Sequence, residues 1–290
     1  MSPKISLTLL LVATAITLST AQETDRTAGT AAVNGATLAY DLSGDGPPIV
    51  LISGGGTLDR RMWDDQVAAL TPRYRVLRYD VRGIGGSSRP DSAFSHSEDL
   101  AALLQSLDLE PAFVVGLSFA AGIAIDLALE RPSRVRGLVL AAPGISSDKE
   151  DNLRDALAAA ELARKIGLPS LVDAIVTNRA VLTSANDTVR ERVRAIYLDN
   201  ADVFESDFAL VRLWRPADPP AEERLSAIRV PTLILVGDQD SEPTRGTADE
   251  LLARIPGAQK IVLRDAGHLL NLDAPDRFNE AVLDFLGRSR

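Results

Sequence analysis

The stretch "VVGLSFAAG", residues 114–122, decides the fold. With Phe113 just before it, its first part, to Val115, is an apolar run that reads as a buried strand. A Gly-x-Ser turn follows, and a helix of small and apolar residues opens at Phe119. A serine on a sharp strand-to-helix turn has its hydroxyl exposed at the end of a sheet, where a nucleophile belongs. A serine hydroxyl reacts poorly alone. It needs a base within reach and an acid to orient that base.

The rest of the chain supplies the sheet. Asn34-Gly35 lies between two alternating runs in "AAVNGATLAYDL" (31–42), the signal of a tight hairpin. Residues 22–30 are small and polar and read as an unstructured lead-in. Strands are expected at 49–53, 74–80, 112–115, 135–143, 232–236 and 260–263. Helices are expected near 60–70, 97–107, 119–130, 244–253 and from Pro275 onward. Strands alternating with helices predict an α/β fold with a mostly parallel central sheet. Between 144 and 229 strand-like runs vanish. Charged, helix-forming segments such as "KEDNLRDALAAAELARKIG" replace them, and a helical insertion capping the sheet is expected there. The core then comprises 22–143 and 230–290.

In such sheets ligands bind beyond the carboxyl ends of the strands. Three reactive residue types stand at those ends, in the order Ser118, Asp240, His268. The chain has only two histidines, His96 and His268, so the choice of base is narrow. His268 can take the Ser118 proton and pass it to a leaving group. Asp240 can orient the imidazole. Asp238, in the same "GDQD", and Asp148 are rival carboxylates. His96, in "AFSHSED", reads as a solvated loop residue or a neighbour of a helix N-cap. Asp80, Arg82 and Ser87 read as fixing a turn.

Several of these motifs together resemble the α/β-hydrolase fold superfamily, as a serine hydrolase with a helical cap. "DVRGIGGS" (80–87) resembles its D-x-R-G-x-G-x-S turn. "RVPTLILVGDQD" (229–240) resembles the strand that delivers the acid, and "AGHLLNLDAPDRF" (266–278) the segment that delivers the histidine. The likeness runs from the first hairpin almost to the end of the chain. It implies the triad Ser118, Asp240 and His268. It also implies an oxyanion hole made by the backbone N–H of Phe119, with Gly55 of the glycine loop as the second donor. Two positions depart from the pattern. Ala120 stands where the elbow usually has glycine, and Ser53 where a histidine usually precedes the glycine loop. Leu117, Phe119, Trp63, Phe204, Phe208 and Trp214 are candidate pocket walls.

Bulk properties narrow the function. The formal charge of −9 argues against nucleic acid and anionic membranes as partners. The absence of cysteine excludes thiolate chemistry and disulfides. The glycine-rich turns lack the full G-x-G-x-x-G and P-loop patterns, so nucleotide binding is not expected. Neither a cofactor nor a metal is expected. Lys4, the apolar run 5–18 and the small residues 19–21 read as a signal peptide cut after Ala21, with no stable membrane insertion afterwards. The expectation is a secreted or periplasmic enzyme acting on a small molecule: an ester, a lactone or a related carbonyl. The same triad also serves carbon–carbon bond hydrolases and cofactor-free perhydrolases. A non-catalytic binding protein on this fold is the alternative from another class.

Overall fold

The computed structural model describes residues 26–54, 57–145, 149–184, 186–205 and 209–289. The expected signal peptide, Gly55 and Asp148 lie outside the described residues, as do the side chains of Phe204 and Phe208.

The chain begins with a hairpin of β1 (Arg26–Val33) and β2 (Ala36–Ser43). Asn34 and Gly35 both have positive φ, 46° and 75°. A two-residue turn needs those values to match the twist of the strands. The pairing runs from Val33↔Ala36 to Arg26↔Ser43. Residues 26–30 are therefore strand, not an unstructured lead-in. Small side chains there carry no periodic signal. Their order comes from the backbone ladder and from Arg26, whose guanidinium donates to the buried Asp41 carboxylate at 2.8 Å.

Next come β3 (Pro48–Ile52), α1 (Asp64–Leu70), β4 (Arg75–Tyr79), α2 (His96–Ser106), β5 (Ala112–Leu117), α3 (Phe119–Glu130) and β6 (Val135–Ala141). A helical stretch follows: α4 (Lys149–Ile166), α5 (Leu168–Thr177), α6 (Asp187–Asp199), α7 (Asp202–Glu205), α8 (Ala209–Leu213) and α9 (Ala221–Arg224). The chain then closes with β7 (Thr232–Gly237), α10 (Glu242–Arg254), β8 (Gln259–Leu263), α11 (Leu270–Asp273) and α12 (Pro275–Arg288). The expected helix at 60–70 is split. A 3₁₀ turn, Arg60–Trp63, precedes α1 and is capped by the Asp59 carboxylate.

The eight strands form one sheet in the order β1-β2-β4-β3-β5-β6-β7-β8. β2 runs antiparallel to both its neighbours, and β4 through β8 are parallel. Every residue of β5 and β7 is buried, as a sheet covered on both faces requires. Alternate side chains feed two cores. Val50, Ile52, Val114 and Ile234 meet α2, α3 and α10 on one face. Ile49, Leu51, Val115 and Leu233 meet α1 and α12 on the other.

The helical stretch, the expected cap, lies between β6 and β7 in the chain. Several of its contacts fall on the segments that follow β3 and β4. The Asn200 side chain joins Gly85, after β4, to Asp59, after β3. Arg61 pairs with Asp199, and Arg192 with Asp65. Trp214 forms a bridge with Phe94. Beyond the Pro219-Pro220 turn, Ala221, Leu225 and Ile228 are buried with the α3 face of the core.

Candidate active site

Ser118 links β5 to α3 with φ 59° and ψ −123°. A non-glycine residue in that region costs about 1–3 kcal/mol and persists only where its surroundings over-determine it. Here they do. The Ser118 N–H donates to the Ala141 carbonyl at 2.9 Å. Its carbonyl accepts from Ala121 at 2.9 Å and Gly144 at 3.1 Å. The approach of α3 to β5 is close. A Cβ on Gly116 would overlap the Ala120 carbonyl and lie 2.7 Å from the Ala121 nitrogen. Ala120, the departure from the glycine pattern, is fully buried in this turn.

Asp240 and His268 meet at the carboxyl ends of β7 and β8. The Asp240 carboxylate lies 3.0 and 3.1 Å from His268 Nδ1. Asp240 is 4% exposed and also accepts from the Ser241 N–H at 2.6 Å. Asp238 is engaged by the Gln239 side chain at 3.3 Å and makes no contact with the histidine. Held at Nδ1, the imidazole leaves Nε2 for a substrate-side proton. No hydrogen bond joins the Ser118 hydroxyl to His268 or to another described residue. Such contacts often tighten only when substrate is bound.

The Phe119 N–H is the first of α3, so no carbonyl of its own helix takes it. Ser53, the other departure, is fully buried and accepts from the Val81 N–H at 3.0 Å, tying the end of β3 to the end of β4. The upstream glycine loop is held by a Gly54 N–H contact to Met62 Sδ at 3.3 Å. Asp80, Arg82 and Ser87 are structural. Asp80 accepts from the backbone of Arg60 and Gly86. Burial pushes its carboxyl above the usual range. Arg82 forms a two-point pair with Asp99 and reaches the Asn34 carbonyl at 3.0 Å.

The pocket expectations need correction. Trp63 is fully buried, donates Nε1–H to the Ile52 carbonyl at 3.0 Å and packs on Phe278. Leu117 points into the same core. Neither presents a surface to a ligand. Trp214 packs edge-on against the partly exposed Phe119, 5.2 Å between centroids. His96 is not solvated. It is 3% exposed, enclosed by Phe94, Phe119 and Trp214 at 4.9, 5.3 and 6.2 Å. Burial, aided by the Arg82 charge, pushes its pKa down to about 3, so it is neutral. A cleft of 330 Å³ lies elsewhere, beside Arg60, Arg61, Asp80 and Asn200. Its guanidiniums are already paired with Asp41, Asp59, Asp80 and Asp199, so it offers no free charge. Among the described residues no group of three or more His, Asp or Glu is placed to hold a metal ion.

Residues 49–281 match the model of the alpha/beta hydrolase family. The chain belongs to the alpha/beta hydrolase family. Among solved structures it is similar to the enol-lactonase from Burkholderia xenovorans LB400, with 29% identity, a TM-score of 0.76, and 89% of this chain and 100% of that one covered. It is also similar to a thermophilic esterase from Thermogutta terrifontis, with 28% identity, a TM-score of 0.74, and coverage of 91% and 98%. The 3-oxoadipate enol-lactonase 1 of Acinetobacter baylyi is 28% identical over 271 residues, which is 87% of this chain and 94% of that protein. Other relatives carry carbamate hydrolase and non-heme haloperoxidase names.

Two contributors have roles that the sequence does not mark. Asn200 looks like an ordinary helix C-cap, and its links to Gly85 and Asp59 span 115 and 141 residues. Asp273 lies five residues past the histidine, in a segment with no periodicity to mark its role.

Proposed function

We propose that the protein is a serine hydrolase that cleaves a small ester or lactone through an acyl-enzyme. The observation that carries this reading is the buried Asp240 carboxylate on His268 Nδ1, at the same sheet edge as the strained Ser118 turn. Ser118 Oγ attacks the substrate carbonyl carbon while His268 Nε2 takes its proton. Negative charge collects on the carbonyl oxygen, which faces the Phe119 N–H at the start of α3, with the Gly55 N–H as the proposed second donor. The tetrahedral species then collapses. The C–O bond breaks, and the imidazolium gives its proton to the departing alkoxide. A water molecule, deprotonated by His268, repeats the attack on the acyl-enzyme. Hydrolysis releases the acid and returns the proton to Ser118. Asp240 stabilises the imidazolium in both halves.

The partly exposed Phe119 ring beside the nucleophile suits a small apolar substituent on that substrate. The enol-lactonases and the esterase among the similar proteins support the same bond class. Residues 1–21 are proposed as a leader cut after Ala21, which places the enzyme outside the cytoplasm. The test is a panel of p-nitrophenyl esters of increasing chain length with lactones alongside, run on wild type and Ser118→Ala. Hydrolysis of short-chain members by wild type alone is expected. An inactive wild type that also fails to react with a fluorophosphonate would remove the proposal. Mass analysis of the exported protein should find Gln22 at its start.

A further inference from the structure

The loop that carries His268 is fastened to the cap. The His268 and Leu269 N–H groups donate to the carbonyls of Ala180 and Val181, both at 2.9 Å. A Cβ on Gly267 would lie 2.9–3.0 Å from the carbonyl oxygens of Arg179, Ala180 and Val181, so a side chain there would push the two segments apart. The Thr183 hydroxyl donates to the Asp265 carbonyl at 2.7 Å. One carboxylate closes the junction. Asp273, the last residue of α11, accepts from the Gly267 N–H at 2.7 Å and the Thr183 N–H at 3.0 Å with Oδ2. Its Oδ1 accepts from the Ser184 N–H at 2.8 Å.

We infer that Asp273 is a positioning residue for the base: it clamps the 180–184 segment of the cap to the His268 loop and so sets His268 Nδ1 on Asp240. The role presupposes the serine-hydrolase chemistry proposed for this site. The physical case is geometric. Gly267 is bonded directly to His268, and its N–H has the shortest of the three Asp273 contacts. Hydrogen bonds to an ionised carboxylate are roughly twice as strong as neutral ones. Three of them on one side chain fix two chain segments against each other. On the other side, the Gln239 N–H donates to the Ala266 carbonyl at 3.0 Å, so the loop is gripped from the Asp240 side as well. Cutting the cap-side grip lets the imidazole drift while Asp240 stays in place. The cap thereby sets the position of the base as well as covering the site.

An amide in place of the carboxylate would set its NH₂ against one of the donors. Asp273→Asn should therefore disturb the clamp while nearly preserving volume. The readout is the rate of fluorophosphonate labelling of the full chain, which needs no knowledge of the substrate. Displacing a catalytic group by about 1 Å costs on the order of 10²-fold, so Asp273→Asn should slow labelling by about 10- to 100-fold. In an Asp240→Asn background the same change should cost less than about threefold, because the contact it serves is already broken. Equal factors in the two backgrounds would make Asp273 merely structural and overturn the inference. Unchanged labelling in the single variant would do the same. If Asp273→Asn does not fold by circular dichroism, Asp273→Glu takes its place in the same cycle. It keeps the charge, moves the oxygens by one methylene, and should show the same non-additive slowing. A wild-type chain that is never labelled would instead remove the nucleophile assignment, and the clamp's role with it.

Discussion

Buried in its aromatic enclosure, His96 makes stability depend on pH in a way that can be calculated. Its native pKa is near 3, against about 6.5 in an unfolded chain. Between those values the unfolded chain binds a proton that the folded chain refuses. Stability from this group is therefore complete above about pH 6.5 and falls as the pH drops toward 3. At pH 5 the unfolded state has gained about 2 kcal/mol relative to pH 8, and the full loss below pH 3 reaches roughly 5 kcal/mol. His96→Phe removes the titration and keeps a ring among Phe94, Phe119 and Trp214. The assay is urea unfolding of both proteins at pH 8 and pH 5, followed by tryptophan fluorescence. Trp214 lies beside the substituted ring, and Trp63 reports the opposite core. Other groups titrate equally in both proteins, so the difference between the two pH-dependent losses isolates His96. Wild type should lose about 2 kcal/mol more than the variant. Equal losses would mean that His96 is protonated when folded, and the enclosure argument would be wrong.

The remaining predictions concern the site. Asp240→Asn should slow fluorophosphonate labelling by ~10⁴-fold, while Asp238→Asn should change it by less than about threefold, because only Asp240 touches the imidazole. The reverse ranking would reassign the acid. Gly116→Ala should destabilise the fold by roughly 1–3 kcal/mol and slow labelling by about 10²-fold, since the added methyl must push α3 and its Ser118 turn away from β5. A variant matching wild type in both urea midpoint and labelling rate would contradict the close packing described there.

Legibility varied with the range of the interaction. The Asn34-Gly35 hairpin and the limits of α3 depend on local backbone preference, and both could be read directly. The order Ser118, Asp240, His268 could be read because each follows a strand, and strand ends share one edge of a parallel sheet. Residues 26–30 were not legible, because their order is supplied by β2 and Asp41 rather than by their own side chains. His96 does stand beside a helix N-cap, Ser95, but its burial was not legible for a similar reason. Its burial depends on Trp214, a residue more than a hundred positions away. Trp63 looked available for a ligand, but its indole N–H is spent on Ile52. Asp273 was hidden because its partners are backbone groups, whose identity leaves no trace in a sequence.

The burial of α3 bears on how this protein can change. Every residue from Ala120 to Ala128 is buried, Asp126 included. Each has neighbours at close-packed density, so larger side chains have nowhere to go. The helix behind the nucleophile is thus closed to innovation. In α6 of the cap, by contrast, only Val193 and Ile196 are buried. A mutational scan should find substitutions silenced along 120–128 and tolerated over most of 187–199. New substrate preferences in this lineage should then enter through the cap, while the sheet and α3 pass on unaltered.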